Sequence, residues 1–392
     1  MRLLIVTRVL PHHSIGGMQA VAWDLAREFA RLGHEVAIIT AEISDRPDTF
    51  WDSGVEIRGM KGVAWRRYGA RWRRGLLDAC PREYLLSFDA ILGVSSAASP
   101  FLDLGHDVRK RIHMQAHGTS LGELVSKWRS RRAIELIKSL KNLVNLIKDL
   151  RDYPRYASVV AIGQAVVTEF GRFPIALVLS GERGACLISN GVSEETFRYD
   201  SERALRLRES MGWCNSKVVV TAARLDGQKG IYQALDGIAV ALRDDCSVRY
   251  LIVGDGPERV RLQSKVRELG LEDFVHFAGA VSRDEMVDYL SAADVMLFTT
   301  VRVEGLPMNI LEALACGLPC IVSRHVVQQE RPSEAIEEVD PHDPASVARA
   351  VKVIQPRMDR TSLLPERYSL QYAALSYLSL FSGASRSKGE VQ

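Results

Sequence analysis

The amino-acid sequence predicts an α/β fold made of two doubly wound, Rossmann-like domains facing a central cleft. Three observations carry this expectation. Short β-branched runs alternate with segments of helical period along most of the chain, which is the pattern of βαβ units on parallel sheets. The pattern halts at a polar stretch near the middle and then starts again. The length, 392 residues of which 47% are hydrophobic and 25% charged, exceeds the size at which one core usually divides into two.

Taken in order, Leu3 to Thr7 reads as a strand, Gly17 to Leu32 as a helix stopped by Gly33, and Val36 to Thr40 as the next strand. Strand candidates follow at Val55 to Arg58, Ala90 to Val94, Ile112 to Gln115, Ser158 to Ile162 and Cys186 to Ser189. After a turn at Asn190-Gly191 and a charged stretch from Asp200 to Arg208, the alternation restarts with a strand at Lys217 to Thr221, a helix at Ile231 to Arg243 and a strand at Arg249 to Val253. It continues through Val275 to Ala278, a helix at Arg283 to Ser291, a strand from Asp294 to Thr299, a helix at Leu306 to Cys316, a strand at Pro319 to Ser323 and a helix at Pro344 to Ile354. The expected domains are 1–198 and 199–365, with 366–392 forming a last helix from Ser369 to Phe381 and a polar tail. Ligands of such folds bind at the carboxyl ends of the strands, so the useful residues are expected in the loops that follow strands.

No apolar run approaches the roughly 20 residues that cross a bilayer, and the first strand begins at once, so the sequence reads as a soluble, cytoplasmic chain without a signal peptide. Six scattered cysteines show neither metal-ligand spacing nor a disulfide framework; no metal site is expected. The net charge of +3 hides an asymmetry: residues 1–197 carry 27 Lys/Arg against 21 Asp/Glu, leaving 24 against 27 for the rest. Such an imbalance concerns surfaces and partners rather than fold.

The most informative segment runs from Glu304 to Glu312 and leads from a strand into a helix. Eight residues advance a helix by about 12 Å, so the two carboxylates can reach different parts of one elongated ligand. Gly305, followed by Leu306 and Pro307, lets helix-start amides approach an anion. The competing reading is a capping glutamate followed by an exposed one. Arg224 and Lys229 form a second group, in the glycine-containing loop after the Lys217 strand. A guanidinium and an ammonium there can hold a diphosphate and neutralise a leaving nucleotide, or be plain solvated surface cations. Gly254, in the tight loop Gly254-Asp255-Gly256-Pro257, is read as a phosphate-side turn or simply as a turn. In the first domain, Gly16-Gly17 follows the first strand without the third glycine or the acidic residue of a dinucleotide fingerprint, which argues against a nicotinamide dehydrogenase. His117-Gly118 puts an imidazole after another strand, where a structural role is the alternative.

In this order the motifs resemble those of the retaining glycosyltransferases of family 4, with the glycosyltransferase-B fold. The resemblance spans most of the chain and rests on Gly16-Gly17, His117-Gly118, Ser189 to Val192, Arg224 with Lys229-Gly230, Gly254 to Pro257, and Glu304 through Pro319. It implies that Arg224 and Lys229 contact the donor diphosphate, Glu312 the ribose hydroxyls, Glu304 and the amides after it the sugar, and His117 the sugar from the other domain. Gly16 and Gly17 would touch phosphate or acceptor. It further implies retention of the anomeric configuration, no cofactor or divalent metal, a nucleotide-diphosphate sugar (UDP- or GDP-linked) as donor substrate, and a last helix that packs back on the first domain. Two departures stand out: Leu306 where an aromatic is frequent, and Thr299-Thr300 where Pro-Ser is commoner. Arg302 adds a cation close to the expected site.

Two basic stretches bear on the acceptor. Lys61 to Arg74 holds six cations and no acid, interleaved with Trp65, Tyr68 and Trp72. Lys127 to Arg155 holds nine cations against three acids and sets Ile134, Ile137, Leu140, Val144 and Ile147 at helical spacing, flanked by Leu136, Leu143 and Leu150. A basic amphipathic helix of this kind can lie on an anionic membrane; packing of its apolar stripe on the first sheet is the alternative. Membrane docking would make the acceptor lipid-linked, a precursor of a cell-surface polysaccharide or glycolipid. Nucleic acid is the least favoured partner, despite the aromatic interleaving. Two rival functions are a sugar-nucleotide 2-epimerase, for which Asp89, Asp103 and Glu123 would be acid/base candidates, and a non-catalytic sugar-nucleotide-binding protein.

Overall fold

The computed structural model describes residues 1–13, 17–65, 68–122, 124, 133–179, 185–302, 305–328, 330–356 and 360–383. The chain divides into two units, Met1–Gly191 with Leu370 onward, and Val192–Ser369. The first division falls before residue 198 because Val192 and Phe197 are fully buried in the core of the second unit. The second falls after residue 365 because Tyr368 belongs to that same core.

In the first unit the strands are β1 (Arg2–Val6), β2 (Glu35–Ala41), β3 (Thr49–Asp52), β4 (Val55–Met60), β5 (Ala90–Val94), β6 (Ile112–Ala116), β7 (Ser158–Ala161) and β8 (Cys186–Leu187). They form one sheet of order β3-β4-β2-β1-β5-β6-β7-β8, parallel except for the β3–β4 hairpin. Strand β1 lies in the middle because the chain first winds one way, through helix α1 (Gly17–Arg31) to β2, and then returns on the other side at β5. β3 was not expected: its residues alternate between exposed and half-buried and so carry no apolar signal. The turn that makes it, Ser53-Gly54 with both φ positive, suits a two-residue hairpin. Helices α2 (Ala70–Ala79) and α3 (Ala133–Asp152) lie on this unit.

The second unit contains α4 (Ser201–Met211), β9 (Lys217–Ala222), α5 (Ile231–Asp244), β10 (Val248–Val253), α6 (Arg259–Glu268), β11 (Val275–Gly279), α7 (Arg283–Ala292), β12 (Val295–Phe298), α8 (Met308–Ala315), β13 (Cys320–Ser323), β14 (Ile336–Val339) and α9 (Pro344–Val353). The parallel sheet has the order β11-β10-β9-β12-β13-β14, the doubly wound 3-2-1-4-5-6 arrangement. Its inner strands β10, β9, β12 and β13 are buried on both faces, with one core cluster centred on Val220, Phe298 and Leu311 and another on Val219, Leu235 and Leu297. The charged stretch from Asp200 to Arg208 is largely helix α4. Its N-cap Asp200 accepts from the amides of Glu202 and Arg203, and Arg208 pairs with Asp294 at 2.7 Å.

The last helix, α10 (Leu370–Phe381), belongs to the first unit. It buries Ala373, Ala374 and Tyr377 against α1 and the first sheet, where Phe29 meets Tyr377 edge-on at 6.5 Å.

Candidate functional site

In the second unit the expected donor residues sit in the loops after β9, β10 and β12, where the winding direction changes between β9 and β12. This is where α/β sheets hold ligands. The loops are joined backbone to backbone. Leu225 N donates to Asp255 O at 3.0 Å, and Ala223 N to Val253 O. Gly254 has φ +134, and a Cβ there would lie 2.0 Å from Ala223 O. Gly254 therefore has a packing reason for being glycine that is independent of any ligand.

The cationic loop is built by its own polar residues. Asp226 accepts from Gln228 N and starts the turn Gly227–Lys229, and Gly230 closes it at φ +67. A Cβ on Gly230 would lie 1.8 Å from Thr299 O. Thr299 Oγ1 donates to Gly230 O at 2.8 Å, Thr300 Oγ1 to Gln228 O at 2.9 Å, Val301 N to the same carbonyl at 3.0 Å, and Arg302 Nη1 to Gln228 Oε1 at 3.1 Å. The Thr299-Thr300 pair thus fastens the segment leading to the acidic loop onto the cationic turn. A Pro-Ser dipeptide in this place could not supply both side-chain bonds, since proline has no side-chain donor.

Arg224 is exposed, and its guanidinium has no hydrogen-bond or ion-pair partner among the described residues. Lys229 is half-buried, with Nζ 5.3 Å from the centre of the Phe298 ring. Gly305 is exposed, Leu306 packs partly on the core, and Pro307 is the N-cap of α8, which has no side-chain cap. Ile310 N donates to Asn309 Oδ1 at 3.1 Å, so the amides of Met308 and Asn309 form the anion-compatible part of this helix start. Asn309 anchors this start to the sheet by donating to Ala222 O at 2.5 Å, two residues before Arg224. Glu312 lies one turn further on, 14% exposed, and pairs with Arg283 at 3.3 Å. Glu304 and Gly16 lie outside the described residues; Gly17 opens α1.

His117 follows β6 in the first unit. Its Nε2 lies 3.0 Å from Gln115 Oε1, and Gln115 Nε2 donates to Tyr377 Oη at 2.9 Å. Burial lowers its pKa to about 4, so the imidazole is neutral at pH 7. His12 and His13 are structural. His12 pairs with Asp52 at 2.9 Å. His13 Nδ1 accepts from Leu10 N and its Nε2 donates to Ala41 O, which fixes a neutral tautomer.

The acid/base candidates of an epimerase are otherwise engaged. Asp103 pairs with Arg155 at 2.6 Å and Arg73 at 2.9 Å, which hold its carboxyl below the usual range. Asp89 accepts from Arg2 N at 2.7 Å, and Glu123 lies outside the described residues. Of the aromatics of the first basic stretch, Trp72 is buried and donates to Ala97 O at 3.0 Å, Trp65 packs partly on the core, and Tyr68, though exposed, lies under the Arg8 guanidinium at 4.6 Å. In α3, Leu146 is buried and Leu150 packs on the core, but Leu143, Val144 and Ile147 are exposed. Of the stripe named in the sequence, Val144 and Ile147 with flanking Leu143 are thus at the surface and flanking Leu150 is on the core side. Side chains 133–141, including Ile134, Leu136, Ile137 and Leu140, lie outside the described residues.

A cavity of about 520 Å³ opens at the amino ends of the second sheet's strands, lined by Lys217, Asp245, Ser247 and Asp294. It lies across the sheet from the loops above. Its charges are matched internally: Arg208 pairs with Asp294, and the Lys217 ammonium donates to backbone carbonyls of α9.

Sequence reading passed over Arg283, Gln228 and the Gln115–Tyr377 pair. Arg283 alone left a trace, as a cation placed at the start of a helix, the end that favours anions.

Two doubly wound units in succession, the second with a cationic turn and an open helix start at its switch point, define the glycosyltransferase-B class. Residues 15–193 match the family described as Glycosyltransferase Family 4, and residues 206–354 match Glycosyl transferases group 1. The chain belongs to these family-4, group 1 glycosyltransferases. Among relatives, it is 30% identical over 112 residues to the amylovoran biosynthesis glycosyltransferase AmsK of Erwinia amylovora, covering 27% of this chain and 28% of the relative. It is 29% identical over 181 residues to the GDP-mannose-dependent alpha-(1-6)-phosphatidylinositol dimannoside mannosyltransferase of Mycobacterium tuberculosis, covering 46% of each. The matched stretches thus span less than half the length of these relatives. Over 320 residues it is 23% identical to the N-acetyl-alpha-D-glucosaminyl L-malate synthase of Bacillus anthracis, covering 79% of this chain and 76% of the relative. Among solved structures, sucrose-phosphate synthase from Thermosynechococcus elongatus superposes with a TM-score of 0.73 at 18% identity, covering 99% of this chain and all of that one. Anabaena HepE in complex with UDP gives 0.68 at 18%, covering 98% and 100%.

Proposed function

We propose that the protein transfers a hexosyl group from a nucleotide-diphosphate sugar to an acceptor hydroxyl, with retention of anomeric configuration and without a divalent metal. The observation that carries this reading is the exposed Arg224, without a partner among the described residues, on a loop stitched to the cationic Lys229 turn and to the segment that leads into α8. Two cations and open helix amides suit a diphosphate, whose charge grows as it leaves. The bond from the anomeric carbon to the phosphate oxygen breaks, the acceptor oxygen bonds to that carbon from the same face, and the acceptor's proton passes to the departing phosphate oxygen. The protein positions and neutralises, so no carboxylate pair at glycosidase spacing is needed. In this reading neutral His117 and Glu304 contact the sugar.

The acceptor is lipid-linked and the protein docks on the membrane surface. No helix among the described residues is long and apolar enough to cross a membrane. The first unit instead exposes Leu143, Val144 and Ile147 on α3, beside exposed Lys148. Phe173 and Leu177 are also exposed, the latter on the short helix Ile175–Val178 that touches α3. Apolar residues rimmed by cations suit an anionic interface. The mycobacterial relative is named for a phosphatidylinositol-based substrate, which agrees with this acceptor class.

A thermal-shift panel of nucleoside diphosphates and sugar nucleotides, with and without EDTA, tests the donor reading, because specific binding stabilises by mass action. A chelator-insensitive shift with one nucleotide class, lost in Arg224→Ala, is expected; no shift with any would end it. For the membrane, salt-sensitive binding to phosphatidylglycerol vesicles, weakened in Ile147→Asp, is expected, and absence of binding at low salt would refute it.

A further inference from the structure

We propose that Arg283 is a positioning residue for the donor's ribose: it holds the Glu312 carboxylate in the orientation that accepts the ribose hydroxyls. The proposal rests on the donor reading above and adds to it a residue from a different element of the fold.

Arg283 is the first residue of α7, after Ser282, whose hydroxyl accepts from Glu285 N while the Glu285 carboxylate accepts from Ser282 N. This capping box fixes the helix start and with it the backbone of Arg283. A cation at that position is unfavourable, because the helix start already carries partial positive charge. The side chain is nevertheless well held. Its guanidinium lies over the ring of Phe197 at 4.9 Å, and Phe197 is fully buried in the second unit's core. From there Nη2 donates to Glu312 Oε1 at 3.3 Å.

Glu312 stands one turn into α8, whose start is anchored by Asn309 beside the Arg224 loop. With its side chain only 14% exposed, its carboxylate needs a compensating charge. A carboxylate offers about four acceptor positions, and the bond from Arg283 takes one of them. The topology agrees: α7 follows β11 and α8 follows β12, so both helices begin at the carboxyl end of the sheet.

A purely structural ion pair between α7 and α8 would leave a different signature. The experiment measures, by calorimetry, binding of UDP and GDP and of their 2′,3′-dideoxy analogues to wild type, Arg283→Gln, Arg283→Lys, Glu312→Gln and the double variant Arg283→Gln/Glu312→Gln. Wild type is expected to prefer the ribonucleotide on the order of tenfold to a hundredfold, the weight of hydrogen bonds to a charged group. Arg283→Gln should remove most of that preference while leaving dideoxy affinity within about twofold, and the double variant should lose no more than Glu312→Gln alone. Arg283→Lys should recover part of it, since an ammonium keeps the charge and lacks the planar fork. Equal weakening of both nucleotides, or an unchanged preference in Arg283→Gln, would overturn the assignment. Wild type binding neither UDP nor GDP would instead remove the donor reading on which it stands.

Discussion

The two units are wound alike but hold their functional loops differently. In the second, the loops after β9, β10 and β12 are fused by main-chain contacts so close that Gly230 and Gly254 have no room for a Cβ. In the first, Gly118 beside His117 has nothing within 4 Å of where a Cβ would stand. There, orientation comes from side chains instead: Gln115 links His117 to Tyr377 on α10. A backbone-locked site suits a constant ligand part such as a diphosphate, whereas side-chain-set loops can vary with the acceptor.

The largest expected effect tests that contrast directly. Gly230→Ala should cost more than about 3 kcal/mol, because the new Cβ would meet the Thr299 carbonyl. Gly118→Ala, which meets only an unfavourable φ of +151, should cost about 1–2 kcal/mol. Urea denaturation of both variants checks this; equal losses would dissolve the distinction.

Acid should act chiefly on the first unit. Burial lowers both His113 and His117 to about 4, below the ordinary value near 6.5. Between those values the unfolded chain binds more protons, so stability is complete above about pH 6.5 and is lost as pH falls toward 4. About 2 kcal/mol per histidine is expected between pH 7 and pH 5, read as the pH dependence of unfolding; His117→Asn should flatten part of the slope.

Of similar size but confined to the ligand, Arg224→Ala should weaken nucleoside diphosphate binding on the order of tenfold to a hundredfold. Its stability should stay within about 0.5 kcal/mol of wild type, since the side chain is exposed and has no partner among the described residues. Smallest is Tyr377→Phe, which removes only the hydroxyl that receives the Gln115 amide and should cost about 1 kcal/mol. If Gln115 orients His117, kcat should fall with little change in the Kd for nucleotide.

The buried strands were legible because their composition is decided by burial on both faces: β5 (Ala90–Val94) matches the expected span, and β9 and β12 differ by a residue or so at their ends. Elements with few buried residues were not. β14 exposes Glu337 and Glu338 at the sheet edge, and α4 and α6 bury only Ala204, and Leu262 with Val266. Of the candidate site, Arg224, Lys229, Gly254 and the 305–312 segment were readable because each follows a strand. The partners that orient them were not. Arg283, Thr300 and Tyr377 lie 29, 71 and 262 residues from Glu312, Lys229 and Gln115 respectively, and only the fold brings such residues together.

The central claim, that the second unit holds a nucleoside diphosphate through Arg224 and the loops locked around it, is tested most directly by calorimetric titration of wild type and Arg224→Ala with UDP and GDP in EDTA. Binding of one nucleotide to wild type, unaffected by the chelator and strongly weakened in the variant, is the predicted result. No binding of either, or equal binding by the variant, would contradict the account.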